Sequence, residues 1–144
     1  MNLLHSYILR YIGKIARITA YVSDIRFKQY HLQKGQHIFV VRVCEHPGLN
    51  LAELTQMLNV DKSTTTKAIQ KLETAGYITK QHPPDNKKSI SLVPTQKALD
   101  VYDKIIGEEN VRIDYCFQGF TEEEKQQALN YLERMAQNVE DYIP

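Results

Sequence analysis

One stretch, Asn50 to Val93, constrains this chain more than any other. It reads as a short helix, a tight turn, a second helix and a two-stranded hairpin. Asn50 is placed to cap the first of these helices, with Glu53 three residues on as a capping-box variant. Leu51, Leu54 and Leu58 give that helix one apolar side. Asn59 and Val60 make the turn, and Asp61 is positioned to cap the next helix through its carboxylate. Along that helix Ala68, Ile69, Leu72 and Ala75 fall on one side, and Gly76 stands where a left-handed cap belongs. Tyr77 to His82 and Ser89 to Val93 alternate as paired strands, with Pro83 to Lys88 as the tip between them.

The flanks read as long helices. Leu4, Ile8, Tyr11, Ile15, Ile18, Val22 and Ile25 recur at steps of four and three, a heptad-like seam. Such a stripe must be buried, either within the chain or against a second copy. A helix over Gly35 to Glu45 carries Ile38-Phe39-Val40-Val41, apolar nearly all round, and Pro47-Gly48 stops it. Thr95 opens a long helix with Leu99, Tyr102, Ile106, Ile113 and Phe117 as its expected buried side, which Gly107 would loosen. Gly119-Phe120 breaks it, and Thr121 with Glu124 forms a capping box for a last helix. That helix repeats Leu129, Leu132, Ala136, Val139 and Ile143. The expected class is therefore mainly α with a small β-hairpin wing. The expected organisation is a winged helix-turn-helix over 35–94 with helical dimerisation regions at 1–34 and 95–144, all in one compact domain.

The helix after Asp61 has an unusual outer face. Lys62, Ser63, Thr64, Thr66, Lys67, Gln70 and Lys71 lie off its apolar side. Hydroxyls, lysines and an amide suit phosphates and base edges. Gln70 is the best base reader, since a carboxamide can pair with both N6 and N7 of adenine. Lys67 can read guanine or hold a phosphate, and Ser63 and Thr64 sit in the first turn where free backbone N–H groups attract phosphate. Thr65 is expected to pack inward. At the wing tip Asn86, Lys87 and Lys88 are expected on the DNA backbone or in the minor groove, with Asp85 orienting the loop.

The formal net charge is only +1, which alone argues against a nucleic-acid partner, but the charge is segregated. Residues 1–34 carry six Lys/Arg and one Asp; residues 61–88 carry six Lys and three acids. Residues 108–144 carry three basic and nine acidic side chains. Local asymmetry of this kind is the electrostatic footprint a DNA surface requires. An alternative reading, a winged-helix module that binds protein, has no use for lysines spaced along one helix and repeated at the wing tip.

Taken together, Leu51-Ala52-Glu53-Leu54, Leu58-Asn59-Val60-Asp61, Thr64-Thr65-Thr66-Lys67, Leu72-Glu73, Gly76-Tyr77-Ile78, Asp85-Asn86-Lys87 and Leu92-Val93-Pro94-Thr95-Gln96-Lys97-Ala98 resemble the MarR/SlyA family of winged-helix transcriptional regulators. The resemblance spans nearly the whole chain. It implies a homodimer whose first and last helices interleave, here through Leu4, Ile8, Tyr11, Ile15, Leu129, Leu132, Val139 and Ile143. It implies a fourth helix in the major groove of double-stranded DNA and a wing near the minor groove. It also implies a small aromatic or lipophilic effector in a crevice, with Tyr11, Arg17 and His37 as pocket residues, and a repressor released by that effector. Departures are Lys87 where the family wing usually has arginine, and Ala98 where glycine is common. The wing also reads about one residue longer before Thr95. Lysine lacks the planar fork of arginine, so a weaker minor-groove contact is expected.

Other chemistries find little support. Zinc-binding relatives use a histidine near His37 with histidines on the fifth helix, but none follows His82, so no metal and no cofactor is expected. Cys44 ends an apolar helix, and Cys116 has only Arg112 as a cation near in sequence. Two cysteines make no disulfide framework, the expected compartment is the reducing cytoplasm, and no apolar run is long enough for a membrane. No nucleophile motif, paired catalytic carboxylates or glycine-rich phosphate loop is present, so an enzyme is not expected.

Overall fold

The structure is a computed structural model describing residues 1–85 and 89–144. The elements are α1 (Ile8–Phe27), a single 3₁₀ turn (Lys28–Tyr30), α2 (Gln36–Glu45), α3 (Leu51–Leu58), α4 (Lys62–Thr74), β1 (Ile78–Gln81), β2 (Ser91–Pro94), α5 (Gln96–Cys116) and α6 (Glu122–Glu140). The fold is a mainly α winged helix-turn-helix with a two-stranded antiparallel wing. The chain divides into two compact units, 1–108 and 109–144, so the division falls inside α5.

In the first unit the core gathers around α2. Val40 and Val43 are fully buried, and Phe39 and Val41 nearly so. Leu54 from α3, Ile69 and Leu72 from α4, Tyr77, Ile78 and Leu92 from the wing, and Ala98, Val101 and Ile105 from α5 close on it. Ile38 remains 40% exposed, so α2 is not buried all round as its composition suggests. It has one solvent-facing line, and Gly35 caps it from outside with φ +70°.

The wing pairs Ile78 with Pro94, Thr79 with Val93, Lys80 with Leu92 and Gln81 with Ser91. Its strands are shorter than the alternation implies. A bridge between Leu49 and Leu92 ties β2 back to the chain ahead of α3. Pro94 sits at the end of the ladder, where a missing N–H costs no central bond.

Two stripes are corrected. The fully buried side of α5 is Ala98, Val101 and Ile105, one residue out of phase with the expected set; of that set Tyr102 and Ile106 pack half-buried against the core, and Leu99 and Ile113 are exposed. Ala98 is fully buried. Gly107 does not interrupt α5. The second correction is at the N-terminus: Leu4 precedes α1, which starts at Ile8, so the seam is shorter by its first member. The residues α1 buries are Ser23 and Phe27. Ile8, Tyr11, Ile15, Ile18 and Ile25 stay exposed, between 45% for Ile8 and 63% for Tyr11.

In the second unit Gly119, at φ +81°, ends the helical run, and Phe117 and Phe120 meet edge to face at 5.4 Å. Thr121 caps α6 as expected: its Oγ1 accepts from the Glu124 N–H (3.1 Å), and the Glu124 carboxylate accepts from the Thr121 N–H (2.9 Å). No residue of α6 is buried. Ile143 lies beyond the end of α6.

Candidate nucleic-acid interface

The α3–turn–α4 unit is built by side-chain caps. Asn50 Oδ1 accepts from the Glu53 N–H at 2.8 Å, and Asp61 Oδ1 accepts from the Thr64 N–H at 2.7 Å. Asn59 between them is left-handed, at φ +51°, a conformation asparagine tolerates better than most residues. Thr65 is fully buried, and its hydroxyl meets that of Thr55 on α3 at 2.8 Å. This hydroxyl pair, with Leu54, Ile69 and Leu72, fixes the angle at which α3 delivers α4.

The far end of α4 is held as firmly. Gly76 takes φ +84°, and the Tyr77 N–H returns to the Leu72 carbonyl at 2.9 Å. Lys97 Nζ donates to the Ala75 carbonyl (2.7 Å) and lies 4.4 Å from the centroid of the Tyr77 ring. The Thr95 hydroxyl donates to the Gly76 carbonyl at 2.6 Å. A cation and a hydroxyl at the carbonyl end of a helix complement its dipole. Neither Thr95 nor Lys97 stands out as a positioning residue in the sequence, because their partners are backbone carbonyls that no side-chain pattern reports.

With Thr65, Ile69 and Leu72 turned inward, Lys62, Ser63, Thr64, Lys67, Gln70 and Lys71 are exposed, and Thr66 is half-buried. Not all are equally available. The Ser63 hydroxyl donates to Asp61 Oδ1 (2.8 Å), and the Thr66 hydroxyl donates to the Lys62 carbonyl (2.9 Å). Those two hydroxyls are engaged by their own helix. Among the described residues, Lys62, Lys67, Gln70 and Lys71 make no side-chain hydrogen bond within the chain. The N–H of Thr64 and the hydroxyls of Ser63 and Thr64 hold the Asp61 carboxyl below its ordinary 3.8, with Lys67 adding to the effect. Asp61 therefore stays ionised at neutral pH as a cap.

On one flank α4 meets the wing, where Lys80 Nζ lies 3.7 Å from a Glu73 carboxylate oxygen. Asp85 is exposed in the turn that follows β1. Asn86, Lys87 and Lys88 lie outside the described residues.

The residues named for an effector pocket sit apart in character. Tyr11 and Arg17 are exposed on α1, while His37 is buried with its ring 4.8 Å from that of Phe27. None of the three lines the cleft of about 850 Å³ that runs beside α4. Burial pushes the Cys44 thiol up to about 11, assisted by Glu45, so it is not a thiolate at neutral pH; Cys116 is exposed. Among the described residues no cluster of three or more His, Cys, Asp or Glu is placed to hold a metal, and no helix is long and apolar enough to cross a membrane.

This architecture recurs in known proteins. HTH-type transcriptional regulator YybA of Bacillus subtilis (strain 168), itself uncharacterized, is 40% identical over 133 residues, covering 92% of this chain and 89% of the relative. A MarR protein of Peptoclostridium difficile is 50% identical and superposes with a TM-score of 0.92, over 99% of this chain and 93% of its own. A MarR family regulator from Listeria monocytogenes, solved with a 26mer DNA, is 37% identical with a TM-score of 0.90, over 98% and 91% of the two chains. The sequence model of the MarR family matches residues 34–90, the helix-turn-helix and the start of the wing. With that match at its centre and full-length likeness around it, the chain belongs to the MarR family of DNA-binding transcriptional regulators.

Proposed function

We propose that the protein acts as a homodimeric, sequence-specific regulator that places α4 of each protomer in the major groove of a pseudo-palindromic operator. The observation that carries this reading is the division of α4. Its inner side is fully committed to the core, while Lys67, Gln70 and Lys71 present uncommitted charge and amide groups to solvent. The Listeria relative crystallised with DNA supports the same partner here. In a two-fold dimer the half-sites would lie about one helical turn apart, roughly 34–36 Å.

Support for the dimer comes from the terminal helices. Ile8, Tyr11 and Ile15 on α1 and Leu129, Leu132 and Val139 on α6 are large apolar side chains left exposed in a single chain. Leu4 and Ile143, just outside those helices in the chain, are exposed as well. Stripes of this extent on a soluble protein mark an interaction surface.

Repression relieved by a small aromatic or lipophilic effector completes the proposal. Such a ligand must bind the DNA-incompetent spacing of the two α4 helices more tightly than the competent one. Tyr11, Arg17 and His37 remain its proposed contacts.

Gln70→Ala tests the base-reading role. The variant loses about 1–3 kcal/mol at one operator position and binds random DNA as before. Equal losses on operator and random duplexes would remove Gln70 from the reading.

A further inference from the structure

The cleft beside α4 has two walls. One is the Thr64, Lys67 and Lys71 flank of the helix; the other is the turn joining α1 to α2, which contributes Lys28, His31 and Lys34. Leu32, Phe39 and Ala68 line its apolar part. Four lysines thus face one carboxylate, that of Asp24. Asp24 is itself engaged, accepting from the Gly35 N–H at 3.3 Å. Among the described residues none of the four lysines has an ion-pair partner.

The turn is built to a fixed shape. The 3₁₀ segment follows α1 directly, and His31 adopts φ +57°, its N–H returning to the Lys28 carbonyl at 3.0 Å. Leu32 is buried and anchors the turn to the core. The Gln36 side chain accepts from the Gln33 N–H at 2.8 Å, and the Tyr77 hydroxyl donates to the Tyr30 carbonyl. Lys28, His31 and Lys34 are left exposed around the turn that these bonds hold.

A helix with its side chains is roughly 10–12 Å across, and the major groove is about 12 Å wide. A recognition helix seated there meets the two phosphate backbones with its flanks. One flank of α4 meets the wing through Glu73 and Lys80. The opposite flank is the one that lines this cleft. We propose that the α1–α2 turn is a second clamp on the DNA backbone, in which Lys28, His31 and Lys34, together with Lys67 and Lys71 across the cleft, bind the phosphates bordering the groove that α4 enters. The clamp rests on the reading of α4 as the groove-binding helix. It assigns Lys67 and Lys71 to backbone contacts and leaves base reading to Gln70.

The test measures anisotropy of a labelled random-sequence duplex across a salt series, because phosphate contacts need no operator. The Lys28→Gln/Lys34→Gln variant is expected to flatten the slope of log affinity against log salt by about 0.9 for each phosphate it no longer neutralises. The Lys28→Arg/Lys34→Arg variant restores the slope, and Lys125→Gln on α6 leaves it unchanged. If the unmodified chain binds and the double glutamine variant keeps its slope and affinity, the clamp is overturned, and a small anionic ligand becomes the better occupant of the cleft. If the unmodified chain fails to bind even at low salt, the reading of α4 falls, and the clamp falls with it.

Discussion

Asp61 shows how one side chain can set the start of a helix. Its carboxylate caps α4, engages the hydroxyls of Ser63 and Thr64, and leaves Lys67, Gln70 and Lys71 exposed. Because its folded pKa is depressed, the linked stability is present above the ordinary value of 3.8 and is lost as pH falls through the lower folded value. Thermal melts of the wild type from about pH 6 to pH 2 should therefore show a decline that Asp61→Asn lacks at this site, since asparagine caps without titrating. Asp61→Ala should lower the melting temperature already at neutral pH. Parallel melting curves for wild type and Asp61→Asn across that range would count against this account. The capping role was legible in the sequence because an Asp three residues ahead of an N–H donor is a local arrangement. That the Ser63 and Thr66 hydroxyls are engaged by Asp61 and by the Lys62 carbonyl was not, since a hydroxyl's partner depends on its rotamer.

At the scale of elements, the helix-turn-helix was the most legible part. Asn50, Asp61, Gly76 and Thr121 mark helix ends by chemistry acting over three or four residues. The phase of α5 was misread because Leu99 outweighs Ala98 in apolar character, while the structure buries Ala98 and leaves Leu99 exposed. The α1–α2 turn escaped notice for a different reason. A 3₁₀ segment and a left-handed histidine have no periodic signature. The orientation of α4 depends on α3, and Leu54 is the fully buried anchor of α3 in the core. Leu54→Ala should cost about 2–5 kcal/mol, read from urea unfolding, because it removes fully buried apolar groups and leaves a cavity. A cost under about 1 kcal/mol would mean that α3 is anchored elsewhere.

For the whole molecule, the apolar periodicity of the two ends was visible, but its destination was not. A seam at heptad spacing reads the same whether it packs within a chain or between chains. Here α6 buries nothing and α1 buries only Ser23 and Phe27, so most of both stripes is left over in a single chain. Leu132→Asp should shift the protein from dimer to monomer in sedimentation velocity at micromolar concentration, because a charge would enter the proposed apolar interface. An unchanged dimer would move the interface away from α6.

The central claim is that α4 reads a specific duplex. Its most direct test is fluorescence anisotropy with a labelled duplex from the region upstream of the protein's own gene, over a salt series, with random DNA as competitor. The account predicts tight binding that weakens steeply with salt and survives an excess of random duplex. Binding no tighter than to random DNA, or none at low salt, would contradict it.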